Sequence, residues 1–223
     1  MNKIKAILAA QYPQDIKLKL QISLFYFISM LLIFLLFRLM FCIVYADTFQ
    51  ALSFWDKVES FIYGLRFDVS AISLFLGVFI MILFLPYPKK SMFIKICVVC
   101  LSISAFLMLL MLSADFFYFP EVKRHMTEDI VLAWRDKDFI VKYTLKYYLW
   151  ILIFIIGLMV FAIKKVFKFI DKHYNPKSVS LRKGICVLLL VVAFVVLARR
   201  SNFSGMPLNL IDAYKIQKKS ENI

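Results

Sequence analysis

Three ionisable side chains stand inside otherwise apolar stretches of this chain: Arg38, Arg66 and Asp68. A charge at bilayer depth costs at least about 2.5–3.5 kcal/mol, so it faces protein or water and has a partner. Arg38 lies about eight residues, or about 12 Å of helix rise, before one end of its stretch. Asp68 lies a similar distance into the next stretch from the same side, so the two arrive at matching depth and suit an ion pair. Arg66 is two residues from Asp68, on another face, because i and i+2 do not meet on a helix. Three readings of these groups stand side by side. In one, Arg38–Asp68 is a buried structural pair and Arg66 snorkels. In another, the three line an outward-facing pocket for a phosphate-bearing headgroup, with Arg66 as the anion contact. The third is a proton or ion pathway, which lacks a second carboxylate, a histidine or a broken helix to complete a relay.

The elements that must position these groups are five apolar segments, roughly 21–46, 61–85, 92–112, 147–163 and 184–197. About 20 residues of helix cross a bilayer core about 30 Å thick. With 63% hydrophobic residues, a soluble fold of this size has nowhere to hide its apolar surface. The segments do not alternate with period two, as the short strands of a β-barrel would, so helices are expected instead. The expected fold is all-α: a polytopic membrane protein of five transmembrane helices. Its expected parts are an N-terminal cytoplasmic segment (1–20), the five-helix domain (21–200) and an extracytoplasmic tail (201–223). The first apolar run is too long for a cleaved leader and is expected to stay attached as a signal anchor.

The formal charge of +14 sits at the segment ends. The stretch from Lys164 to Lys183 holds seven Lys and Arg against one Asp. With Lys3, Lys5, Lys17, Lys19, Lys89 and Lys90 on the same side, the positive-inside rule places the N-terminus inside and the C-terminus outside. A basic face beside a bilayer attracts anionic headgroups. No nucleic-acid-binding pattern accompanies it, so nucleic acid is not an expected partner. Pro86 and Pro88 mark a tight turn between the second and third segments. Downstream of Pro120, an amphipathic helix from about Thr127 to Lys142 is expected on the outer surface, with Trp134 and Tyr143 at headgroup level.

Other chemistry is sparse. Cys97-Val-Val-Cys100 has redox or metal spacing, but it lies in an apolar span with no further ligands near it, and small apolar packing is its plainer meaning. His125 and His173 fall on opposite sides of the membrane in this topology and cannot share a metal. Asp115, Glu121, Glu128 and Asp129 read as solvated loop acids. No hydrolase, zinc-protease or nucleotide-binding motif is present.

One motif resembles a known family. Tyr63-Gly64-Leu65-Arg66-Phe67-Asp68-Val69-Ser70 is similar to the G-x-R-F-D-[LV]-S signature of lipoteichoic acid synthase-like sulfatases and of phosphoglycerol or phosphoethanolamine transferases in the alkaline phosphatase superfamily. Ala114 to Phe119 with Lys123-Arg124, and Pro207 to Ala213, resemble later fragments of the same family in the same order. The resemblance implies a five-span membrane module that binds a membrane phospholipid through Arg66, Arg38, Asp68 and Arg124. It also implies an extracytoplasmic catalytic domain carrying a divalent metal and a Thr or Ser nucleophile. None of that domain's motifs occurs in these residues, so neither a cofactor nor catalysis is expected of this chain alone. A separately encoded catalytic domain is then an expected partner, in a bacterial inner membrane. The alternative function is a non-enzymatic scaffold that binds a partner through its outer helix. A small transporter ranks third, disfavoured by the odd number of spans.

Overall fold

Asp15 starts the first helix. Its Oδ1 accepts from the Leu18 amide at 3.0 Å, satisfying one of the donors that every helix N-terminus leaves orphaned. The computed structural model describes residues 11–46, 54–85, 91–122, 146 and 148–200. Over these residues the chain forms five helices: α1 (Ile16–Val44), α2 (Phe54–Leu83), α3 (Ser91–Val122), α4 (Leu149–His173) and α5 (Leu181–Arg200). All five are long and apolar enough to cross a membrane. The molecule is a multi-pass membrane bundle.

Each helix outruns the apolar window that announced it. The 29 residues of α1 rise about 43 Å, more than the hydrocarbon alone requires. In α4 the basic stretch expected as a loop is helical as far as His173. Val166 and Ile170 continue a buried i, i+4 edge there, while Lys164, Lys165, Lys168 and Lys172 lie on exposed positions. An apolar window closes at the first lysine, whereas a helix continues while one face still packs. Likewise α3 runs on past Leu112 and through Pro120, which sits in its last turn. Proline has no N–H to give the carbonyl of Phe116 four residues back. The Tyr45 hydroxyl donates to that carbonyl at 2.9 Å instead.

Helices α2 and α3 pack together at the centre, with α5 against α2 and α4 against α3. Helix α1 crosses both central helices. Its buried residues Leu18, Ile22, Tyr26 and Met30 recur every four positions, as do Asp68, Ile72, Leu76 and Ile80 on α2. Such i±4 rows are the ridges that interlock between helices. The outward faces carry Leu32, Ile43, Trp150, Phe154 and Leu190, which suits hydrocarbon.

A two-stranded antiparallel strap, unexpected within the N-terminal segment, closes one end of the bundle: β1 (Gln11–Gln14) pairs with β2 (Lys177–Ser180). Asp15 ties it down, its Oδ2 accepting from the Asn175 amide at 2.9 Å. Burial and the nearby Asp15 carboxylate push the Tyr174 phenol up. At this same end Lys95 pairs with Asp171 at 2.6 Å, and the buried Lys19 donates to the Leu85 carbonyl at 3.4 Å. Most of the described lysines gather here, so we refer to it as the basic end.

One polar contact lies deep in the bundle. Ser102 Oγ donates to the Val98 carbonyl at 2.8 Å and lies 2.6 Å from the Tyr26 hydroxyl. A serine has one proton to give, so Tyr26 is the donor in the second bond. The two deletions are therefore unequal. Tyr26→Phe orphans nothing and costs about 0.6 kcal/mol, the average for an interhelical membrane hydrogen bond. Ser102→Ala leaves a buried phenol without its acceptor and costs about 1–3 kcal/mol. Unfolding of both variants by SDS in bicelles measures the difference, and equal losses would contradict this proton assignment.

Candidate functional site

The α1 ridge continues through Phe34, half-buried against the core, to Arg38, and the facing α2 ridge begins at Asp68. The apolar seam between the helices therefore ends in opposite charges at the end away from the strap. Arg38 Nη2 donates to Asp68 Oδ1 at 2.7 Å, and Nη1 donates to the Phe61 carbonyl at 3.3 Å. Matching depth, legible in the sequence, becomes contact because both residues also lie on the facing ridges.

Gly64 makes room for this pair. It stands one turn before Asp68 on the same face of α2. A Cβ there would collide with the Arg38 guanidinium. The Gly-x-x-x-Asp spacing is thus a slot followed by a counterion, and it receives an arginine from the neighbouring helix. Small residues admit close approach in membrane bundles for the same reason.

The pair is not symmetric. The Asp68 side chain is 8% exposed and the Arg38 side chain 25%. Asp68 Oδ2 is buried and accepts no hydrogen bond. The contact thus uses one carboxylate oxygen rather than the two-pronged arrangement an arginine can make. The clamp fixes α1 against α2, and part of the guanidinium stays at the edge of the seam.

Arg66 occupies a different face, as its spacing from Asp68 requires. Its guanidinium carbon lies 5.8 Å from the centre of the Tyr63 ring, and the residue is half-buried. Aromatic rings surround this end of the bundle. Phe116 sits edge-on to Phe37 and Phe41, and Phe117 lies 4.8 Å from Tyr148. On the α5 side, Ser70 Oγ donates to the Arg199 carbonyl at 2.7 Å.

The structure thus joins Arg38 to Asp68 and sets Arg66 beside them on a separate face. Arg124 lies outside the described residues, as do His125, Glu128, Asp129, the expected outer helix and the tail. His173 is at the basic end, far from the clamp in the fold. Among the described residues no group of three or more His, Cys, Asp or Glu converges to hold a metal ion. Cys97 is buried and Cys100 half-buried, both as free thiols.

Two residues escaped the sequence reading. The slot at Gly64 was signalled by its i, i+4 spacing to Asp68, read only as part of a motif. Lys19 was read as a surface topology charge, yet it is 2% exposed and reaches the Leu85 carbonyl just beyond the end of α2. Nothing in its own spacing distinguishes it from Lys17.

Comparison of the chain with protein-family models, with curated proteins and with solved structures finds no match in any of the three.

Proposed function

We propose that this chain is a membrane module that anchors a phospho-headgroup transferase of the lipoteichoic acid synthase-like kind and positions its phospholipid substrate. The observation that carries the reading is the division of labour within Gly64-Leu65-Arg66-Phe67-Asp68. Gly64 and Asp68 are taken up in holding Arg38. Arg66, at the same level, belongs to another face, with its guanidinium over the Tyr63 ring. A guanidinium suits a phosphate because its planar fork of N–H donors matches two phosphate oxygens. In this reading the basic end faces the cytoplasm, by the positive-inside rule, and the Arg38 end faces outward. Arg38 and Asp68 brace the outer ends of α1 and α2, Arg124 assists from the following segment, and the chemistry belongs to a catalytic domain beyond this chain.

A phospholipid with a photoreactive group beside its phosphate tests the assignment. In reconstituted protein, Arg66→Ala lowers labelling about tenfold, as losing a charge-assisted hydrogen bond of about 1.5–3 kcal/mol requires. Arg66→Lys keeps the charge but not the fork, and falls between. Equal labelling of wild type and Arg66→Ala would remove the role given to Arg66.

A further inference from the structure

The strap borders a half-open cavity of about 460 Å³ at the basic end, opposite the site already described. That volume falls within the roughly 300–1,000 Å³ of small-ligand sites. Its polar wall is built from segments far apart in the chain: Lys17 and Gln21 from α1, and Asn175 and Lys177 from the link between α4 and α5. Asp15 also lines it, but its two oxygens already accept from the Leu18 and Asn175 amides. Among the described residues, neither Lys17 nor Lys177 is paired with a carboxylate. His173 lines it too, its Nδ1 donating to the Phe169 carbonyl at 3.0 Å.

What distinguishes this cavity from a merely basic surface is the helix face it opens onto. Lys17 and Gln21 stand at i and i+4, and the same face of α1 runs on through Leu24, Ile28 and Leu32. Those three are 47%, 49% and 55% exposed. A molecule with an anionic head and long apolar chains meets complementary surface along its whole length. A free phosphate ester uses only the head end.

We propose that the strap cavity is a specific site for one anionic phospholipid. Its phosphate sits between Lys17 and Lys177, its headgroup hydroxyls meet Gln21 and Asn175, and its acyl chains lie along Leu24, Ile28 and Leu32. The strap completes the site because β2 supplies Lys177, and Asp15 locks β2 to the start of α1.

Native mass spectrometry of protein released from nanodiscs of equal phosphatidylglycerol and phosphatidylcholine tests this. Wild type retains one phosphatidylglycerol. K17Q/K177Q lowers that retention about thirtyfold, as two lysines at about 1 kcal/mol each at a membrane surface require. K17R/K177R retains the lipid, and so does K164Q/K165Q, which removes equal charge outside the cavity. Unchanged retention in K17Q/K177Q, or equal loss in K164Q/K165Q, would overturn the site in favour of diffuse attraction. Displacement of the lipid by millimolar glycerol phosphate would overturn the lipid assignment and leave a site for soluble phosphate esters. A photoreactive residue replacing Gln21 gives a readout that leaves both lysines in place. A phosphatidylglycerol adduct supports the site, and its absence overturns it.

Discussion

Arg38→Leu destabilises the bundle by about 3–5 kcal/mol, the cost of leaving one member of a buried ion pair without the other. Asp68 is deeply buried and, among the described residues, Arg38 is its hydrogen-bond partner, so no described residue replaces the guanidinium. Removing both charges, in R38L/D68L, restores most of the loss, because the seam then ends in apolar contact and no uncompensated carboxylate remains. Gly64 bears on the same pair. Gly64→Ala inserts a methyl where the guanidinium sits, so it acts by displacing Arg38. In wild type it is therefore destabilising, but by less than Arg38→Leu, because the flexible arginine side chain can shift and keep its charge near Asp68. In the R38L/D68L background the conflict is gone, and the same change becomes neutral or stabilising by up to about 1 kcal/mol, the helix-propensity gain of alanine over glycine. SDS titration of the set in bicelles measures these terms. A Gly64→Ala penalty that persists in the R38L/D68L background would show that the glycine serves something other than Arg38.

The second large effect lies at the contact between α2 and α5. A Cβ on Gly77 would approach Val195 Cγ1 to 2.5 Å, closer than side-chain carbons tolerate. Val195 is also the one buried apolar side chain of α5 among the described residues. Val187, Leu188 and Val191 pack half-buried against the core beside it, and Ser70 Oγ donates to the Arg199 carbonyl at 2.7 Å. Gly77→Ala is expected to cost about 1–3 kcal/mol through overpacking. Gly77→Leu displaces α5 altogether and exposes the α2–α5 seam to protease. Val195→Ala removes the colliding methyls, so G77A/V195A recovers stability relative to Gly77→Ala alone. Additive losses in the double variant would mean that the two residues do not meet.

How far the sequence carried depended on what each signal measures. Hydropathy counts apolar residues along the chain, so it located all five helices and misplaced their ends. Lys17 and Lys19 before the first window, and Lys164 to Lys172 after the fourth, are helical residues outside its reach. Depth along two neighbouring helices was legible by counting residues, and it paired Arg38 with Asp68. Rotation about each axis was not, until the four-residue rows Leu18–Ile22–Tyr26–Met30 and Asp68–Ile72–Leu76–Ile80 were seen to face one another. The β1–β2 strap left no trace. Four residues reading Gln-Tyr-Pro-Gln have no alternation, Pro13 argues against a central strand, and the partner lies more than 160 positions away. Its Pro13 is compatible only because a two-stranded strap has nothing but edges. Lys19 shows the opposite limit. A basic residue near a span end is ordinarily a surface charge, and only the packing of α1 across α2 turns this one inward.

The proposed contact is between the Arg66 guanidinium and a lipid phosphate beside the Arg38–Asp68 clamp. Solid-state NMR tests it directly, by phosphorus–carbon dipolar recoupling on protein carrying 13C at every arginine Cζ in phospholipid bilayers. The account predicts dephasing of an arginine signal by lipid phosphorus that disappears in Arg66→Lys while the rest of the spectrum holds. A dephased signal unchanged by Arg66→Lys, or none at all in wild type, would contradict it.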